Sequence, residues 1–376
     1  MTDNSLIKSK IAVVGGGLGG LCAALAFRRR GAAVTVYEAA PAFIEVGAGI
    51  QVSSNGLRVL RALGLDPDHA YRSKGTVLHD HFGKRVAILP NGSGREVRLF
   101  HRADLLALLE AGCKAAGVEM RLDARTSPEN PPDADLVIAA DGVKSVFRSI
   151  VAPDLAKPKF SGQAAWRAIV RPSRPVSDAG VNVYMGPGAH VVVYPMRGGE
   201  LINVVAGEDT SEASGEGWKM EVPHADMVER FASFAGPAKA MIARAGNVHR
   251  WGLYHHELPR RWSSDNIVLL GDAAHAMLPY LGQGACMAFE DAYVLAACWA
   301  RFSDMDEALG AYERLRAPRV ARVMKEVRAN ATRFHHGNPV ARVIGHTGLR
   351  AVGSLAPGLI ARRFDWLYDY DAIRVV

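Results

Sequence analysis

In residues 271–284, Gly-Asp-Ala-Ala-His-Ala-Met-Leu-Pro-Tyr-Leu-Gly-Gln-Gly, a carboxylate, Asp272, follows an apolar run and precedes a glycine-rich turn. Far upstream, Gly15-x-Gly17-x-x-Gly20 closes another apolar run, and Asp141-Gly142 lies between the two segments. Glycines in such loops let backbone N–H groups approach phosphate, and carboxylates at strand ends accept from sugar hydroxyls. Three such segments in order describe one cofactor gripped from sequence-distant places, and the combination points to FAD. A different chemistry is offered by Gly186-Pro-x-x-His190-x-x-x-Tyr194-Pro195. On a strand, positions four apart share a face, so His190 and Tyr194 can converge on one ligand; the alternative is that both pack inside a sheet.

The elements that must hold these groups are legible around them. Residues 10–17 read as a short strand ending in glycines, Leu18 to Arg30 as a helix, and Ala33 to Tyr37 as the next strand, which makes a βαβ unit. Gly15 permits the tight turn, Gly17 the approach of a pyrophosphate, and Gly20 close helix–strand packing. The helix N-terminus offers N–H groups to that phosphate. Glu38 falls about 20 residues after the fingerprint, where a carboxylate accepts from ribose hydroxyls. Gly47-Ala48-Gly49-Ile50 follows, then a helix over 55–65 and another from His101-Arg102 to about Ala116, stopped by Gly117. Residues 135–140 read as a buried parallel strand whose C-terminal end carries Asp141-Gly142. From about Phe160 to Gly252, alternating segments such as 190–194 and 201–206 predict antiparallel strands, with Ser211–Trp218 as a loop. A buried strand returns at 266–271, a helix spans 282–302, and another runs from about Met305 to His336, interrupted or kinked at Pro318.

The expected fold is therefore α/β: a Rossmann-like FAD-binding domain (1–158 and 261–302), an inserted antiparallel β-sheet substrate domain (159–260), and C-terminal helices (303–376). No apolar run in the 376 residues approaches the ~18 that a membrane span needs. The N-terminus lacks a signal-peptide pattern, and cytoplasmic residence is expected. The scattered Cys22, Cys113, Cys286 and Cys298 show neither metal-ligand nor disulfide spacing, which predicts reduced, buried thiols and no metal. A net charge of +7 invites a nucleic-acid reading, but its basic residues are dispersed and no aromatic-rich module accompanies them. No nucleic-acid partner is expected.

The ordered motifs, with Asp141-Gly142-x-x-Ser145-x-x-Arg148 and Tyr312-Glu313-x-x-Arg316-x-Pro318-Arg319, resemble those of the single-component flavin-dependent aromatic hydroxylases, the p-hydroxybenzoate hydroxylase group. Within it the chain looks most similar to the salicylate hydroxylase and 3-hydroxybenzoate 6-hydroxylase branch. The resemblance implies FAD, reduction by NADH or NADPH without a second dinucleotide fold, and O2 addition giving a flavin hydroperoxide that hydroxylates a phenolic ring. It implies cofactor contacts from Gly15, Gly17, Leu18, Gly20, Glu38, Ala39 and Gly49. Further contacts are expected from Arg102, Asp141, Gly142 and Asp272, and from Pro279, Gly282, Gly284 and Ala285. His190 and Tyr194 would touch the substrate phenol, with a base required beside the ring, and Gln283 would orient substrate beside the flavin; helix-start structure is the alternative for Gln283.

His275 reads as framework rather than base. Gln51 stands where a hydroxynicotinate-type relative has a catalytic histidine, which argues against that substrate. Cys286 matches the salicylate-like branch, with a buried thiol as its alternative role. One departure is the short, proline-containing 121–134 segment, where relatives carry a longer β-meander. A small aromatic substrate, O2 and NAD(P)H are the expected partners, with a homodimer also expected; the C-terminal helical region is read as closing either the substrate pocket or the dimer interface. The alternatives are a larger polycyclic or quinone-like substrate and a catalytically silent flavoprotein; a halogenase is disfavoured because no Trp-x-Trp-x-Ile-Pro segment occurs.

Overall fold

Strand Lys10–Val14 is buried along Ile11–Val14 and flanked by parallel neighbours on both sides. A continuous apolar run of this kind is what a strand covered on both faces requires. Around it lies a six-stranded sheet in the order Ser263–Ser264, Ile267–Leu269, Leu136–Ala139, Lys10–Val14, Ala33–Tyr37, Glu119–Arg121. All its pairings are parallel except the first. The computed structural model describes residues 8–43, 49–92, 94–155, 157–177, 180–212, 221–355, 358 and 362–376; Gly47, Ala48 and most of the Ser211–Trp218 loop lie outside them.

The first helix is Leu18–Arg28, nine of whose residues are buried, and it packs against helix Gly284–Arg301. Glu119–Arg121 is the edge strand beside Ala33–Tyr37. The second sheet has eight strands: Glu221–Val222, Val248–His255, Lys159–Val170, Leu201–Asp209, Ala189–Met196, Val181–Gly186, Thr76–Asp80 and Arg85–Leu89. Its last two strands come from the region before residue 159, and Thr76–Asp80 joins Val181–Gly186 in parallel. A three-stranded sheet, Gly49–Ser53, Val97–His101 and Tyr71–Arg72, brackets the hairpin Thr76–Asp80 and Arg85–Leu89 in sequence.

Helix Met305–Phe334 runs unbroken through Pro318, where the sequence predicted an interruption or kink. The arginines on either side explain the continuity. Arg316 and Arg319 both bond the buried Glu290 of helix Gly284–Arg301, so the turn that lacks one N–H is held by its flanks. Helix Pro339–Leu355 follows. All four cysteines are free and buried, as expected. Among the described residues no helix is long and apolar enough to cross a membrane.

Candidate functional site

A cavity of about 790 Å3 lies between the two larger sheets. One end is bounded by Gly17 and Leu18 at the start of the first helix, by Gly142, and by Asp272 beyond strand Ile267–Leu269. These groups sit at the C-terminal ends of parallel strands, where open α/β sheets bind ligands. Gly49, Arg102, Pro279, Gly282, Gly284 and Ala285 also line it. At the other end stand His190, Val192 and Tyr194 of one strand, with Val181, Val183 and Met185 beside them.

The cofactor end has the shape a dinucleotide needs. A Cβ on Gly17 would meet nothing within 4 Å, so its backbone faces open space, whereas one on Gly20 would lie 1.9 Å from the Gly15 carbonyl oxygen. Gly15 itself has φ of 102°, a left-handed conformation that glycine supplies. No side-chain cap covers the N-terminus of helix Leu18–Arg28, and its first turn holds no acid. It remains available to an anion. Asp141 Oδ1 is buried without a hydrogen-bond partner among the described residues, while Oδ2 accepts from the Val146 amide. Burial raises this carboxyl above its ordinary range.

Several expected contacts serve the framework directly. Glu38 accepts from the amides of Gly16 at 2.7 Å and Ala40 at 2.8 Å, so the carboxylate locks the phosphate loop to the strand end. Gly15, Gly20, Glu38, Ala39 and Asp141 do not line the cavity themselves. Arg148, fully buried, donates to the carbonyls of Ala273 and Ala274, each at 2.7 Å. That clips the second motif to the third.

Gln283 borders the cavity, yet its amide donates to Ser53 Oγ at 2.9 Å, and its oxygen accepts from Asn55 at 3.0 Å. Asn55 also donates to Glu290 at 2.7 Å, and Glu290 pairs with Arg316 and Arg319. Asp291 completes the cluster with Arg316 at 2.7 Å and His275 at 2.6 Å, all three without exposed side-chain surface. His275 is thus framework, as its sequence context implied. Cys286 is buried with Sγ 3.5 Å from Ser53 Oγ. Gln51 lines the cavity against Gly282.

At the substrate end, His190 is 5% and Tyr194 4% exposed, and both line the cavity from one strand face. Across the sheet His190 faces Gly207, whose missing side chain leaves the space: a Cβ there would lie 2.3 Å from His190 Cε1. Tyr194 is seated the same way against Gly49, whose Cβ would lie 2.6 Å from the phenol oxygen. Burial, with His335 adding to it, holds His190 well below its ordinary value, and burial pushes the Tyr194 phenol up. The imidazole is therefore neutral at neutral pH and keeps a lone pair that can accept a proton, while the same burial makes it a weaker base than a free histidine.

Sequence reasoning missed Arg167, on strand Lys159–Val170, whose side chain lines the cavity and lies over the Trp251 ring at 4.9 Å. It also missed His335, just past helix Met305–Phe334, whose Nε2 is 2.6 Å from His190 Nδ1. The alternation of strand 159–170 was a signal for Arg167; nothing in the sequence pointed to His335.

Comparison with known proteins agrees with this geometry. A family model described as an FAD binding domain matches residues 95–327, more than half of the chain, and an NAD(P)-binding Rossmann-like domain matches 13–43. The chain is 38% identical to a 3-amino-4-hydroxybenzoate 2-monooxygenase of Streptomyces cremeus, over 87% of this chain and 88% of that protein. It is 32% identical to a 3-hydroxybenzoate 6-hydroxylase of Polaromonas naphthalenivorans, over 99% and 98%. The solved structure of Klebsiella pneumoniae HpxO complexed with FAD and uric acid superposes with a TM-score of 0.79, at 25% identity, covering 94% of this chain and 96% of that one. With its FAD-binding fold, its motifs and these full-length relatives, the chain belongs to the FAD-dependent aromatic hydroxylases, which draw on NAD(P)H.

Proposed function

We propose that the substrate is a hydroxybenzoate, with 3-amino-4-hydroxybenzoate the first candidate, and that His190 and Tyr194 receive its phenol. The observation that carries this reading is the single cavity with cofactor loops at one end and the His190–Tyr194 strand face at the other. The similarity to 3-amino-4-hydroxybenzoate monooxygenases supports the choice of ring. Bound FAD supplies the redox chemistry, accepting electrons from NADH or NADPH and delivering them to O2.

The protein's own groups prepare the substrate. His190 takes the phenol proton and so makes the ring electron-rich. Tyr194, protonated because it is buried, donates a hydrogen bond to the resulting oxygen. Arg167 lies two strands across from the His190 strand, about 10 Å away at sheet spacing, within side-chain reach of a carboxylate on the far side of a benzene ring. Val181, Val183, Val192, Val205 and Leu278 wall the space with apolar surface, which excludes water.

Gly17, Leu18, Gly142 and the first helix N-terminus would hold the cofactor phosphates, and Arg102, Asp272, Gly49 and Pro279 the parts beyond. The N-terminus of helix Gly284–Arg301, with Gly282, Gly284 and Ala285, faces the cavity and favours negative charge there. Gln283 would act as a positioning residue, tying that turn to Ser53 and Asn55.

The test is NADH and NADPH oxidation by FAD-loaded protein with 3-amino-4-hydroxybenzoate, 3-hydroxybenzoate, salicylate and a naphthoquinone, reading product masses in parallel. Stimulation by a hydroxybenzoate with one oxygen atom gained supports the reading. Stimulation by the naphthoquinone alone would move the assignment to a polycyclic substrate, and no stimulation by any compound would favour a silent flavoprotein. A homodimer belongs to the same proposal, supported by the exposed Val340, Val343 and Ile344 of helix Pro339–Leu355, and sedimentation velocity decides it. Cytoplasmic residence is likewise proposed, supported by four free thiols.

A further inference from the structure

We propose that His335 and Asp209 form, with His190, a relay that carries the substrate's phenolic proton out of the main cavity to solvent. The inference rests on the reading of His190 as the group that meets the phenol. His190 Nδ1 lies 2.6 Å from His335 Nε2, and His335 Nδ1 lies 2.6 Å from Asp209 Oδ1. His190 lines the main cavity, whereas His335 and Asp209 line a second cavity of about 470 Å3. The imidazole pair therefore belongs to the wall between two spaces. The exit is wet: the His335 side chain is 3% exposed and that of Asp209 50%.

The carboxylate fixes the direction of every hydrogen bond in the row. Burial opposes ionisation of Asp209, but bonds from His335 and Gln163 outweigh it and hold the carboxyl below its ordinary value. An ionised carboxylate only accepts, so His335 Nδ1 must carry the proton it donates. In the neutral imidazole, Nε2 of His335 is then a lone pair and accepts from His190 Nδ1–H. That leaves the Nε2 lone pair of His190 for a ligand in the cavity, which is the tautomer a base needs.

Proton transfer follows with atoms and charges balanced. The phenol O–H bond breaks as His190 Nε2–H forms; His190 Nδ1–H passes to His335 Nε2; His335 Nδ1–H passes to Asp209 and then to water. No electrons change hands, and each imidazole ends neutral as the opposite tautomer, returned by rotation or by reverse transfer in turnover.

Neighbours hold the row in place. Gln163 donates to Asp209 Oδ1 at 2.9 Å, and its oxygen accepts from Tyr280 at 2.8 Å. The Tyr280 ring lies 5.2 Å from that of His190. His335 caps the C-terminus of helix Met305–Phe334, where the backbone carbonyls favour a transient positive charge on the ring.

Two measurements test the relay. The first needs no substrate: nitrogen NMR of FAD-loaded protein with labelled histidine reports which ring nitrogen carries the proton. The expected result is Nδ1–H on both His190 and His335, and a proton on Nε2 of either resting ring overturns the relay. The second is stopped-flow proton release, read with an indicator dye, when 3-amino-4-hydroxybenzoate or 3-hydroxybenzoate binds the oxidised, FAD-loaded enzyme. His335→Gln and Asp209→Asn should retain FAD and substrate affinity within about 3-fold. Each should slow proton release by ~10-fold or more, against the ~10²–10⁴ typical of losing a base itself. Unchanged release in both variants overturns the proposal. If the wild-type enzyme binds the phenols but releases no proton, the assignment of His190 as phenol base fails and the relay with it, whereas normal wild-type release that is unchanged in both variants overturns the relay alone.

Discussion

Replacing Gly207 by alanine tests whether the position of the His190 ring controls the reaction. The added Cβ would lie 2.3 Å from His190 Cε1 and 2.7 Å from Nδ1. Carbon atoms in contact settle near 3.5–4.0 Å, so the ring must retreat by more than ~1 Å. The strand backbone cannot easily yield, because Gly207 pairs with His190 on one side and Ala165 on the other. A displacement of about 1 Å in a reacting group costs on the order of 10²-fold in rate, or about 2.7 kcal/mol of barrier. Overpacking costs ~1–3 kcal/mol of stability, offset in part by the ~0.5–1 kcal/mol that alanine regains over glycine in a strand. The variant should therefore fold and keep its flavin. The assay is kcat with a saturating hydroxybenzoate, alongside flavin absorbance and thermal unfolding. A kcat within 3-fold of wild type, with FAD fully bound, would refute the reasoning.

Other perturbations read different parts of the site. Gly49→Ala places a Cβ 2.6 Å from the Tyr194 phenol oxygen and 2.7 Å from Asn203 Cγ, so substrate affinity should fall on the order of 10-fold; unchanged binding by difference spectroscopy would count against Tyr194 as a ligand group. Arg316→Leu leaves Glu290 and Asp291 buried without their shared cation and should cost ~3–5 kcal/mol, read as a lower thermal midpoint; an unchanged midpoint would mean the cluster contributes no net stability. Burial and His335 hold His190 well below 6.5, so this base stays neutral as the pH falls through 6.5, and its limb in the kcat/KM profile should lie below that value. The unfolded chain binds that proton first, so His190's contribution to stability declines as pH falls from about 6.5 toward the folded value. A His190-dependent limb at or above 6.5, absent from His190→Asn, would contradict this.

The cofactor end was legible in the sequence because its function is written in backbone. Glycine at 15 is demanded by conformation and at 20 by close approach, and such demands leave local patterns. His190 and Tyr194 were singled out by the family resemblance, strand periodicity adding only that positions four apart share a face, and the structure lines the cavity with both. Gln283 was expected from the same resemblance to orient substrate; it borders the cavity, but its amide is engaged with Ser53 and Asn55, some 230 residues away, which a local pattern does not reveal. His335 left no trace, since a lone histidine beyond a helix means nothing until the fold brings it across 145 residues to His190. At Pro318 local rules allow an interruption or a kink; the helix is not interrupted, and Arg316 and Arg319 on either side bond Glu290 of the neighbouring helix.

The parallel pairing of Thr76–Asp80 with Val181–Gly186 has a consequence for how this protein can be taken apart. The antiparallel sheet is closed at one edge by a hairpin encoded about a hundred residues before its neighbour, so residues 159–260 carry an incomplete sheet. A fragment of that region would present the 181–186 strand as a bare edge, an invitation to pair with other chains. Grafting the region alone into a relative would leave the same seam unmatched, with Leu78 against a foreign partner for Val183. Exchange of specificity between such enzymes must therefore carry residues 76–89 with the insert. During synthesis that hairpin must wait for its partner strand to emerge, which makes the seam a late and non-local step in folding.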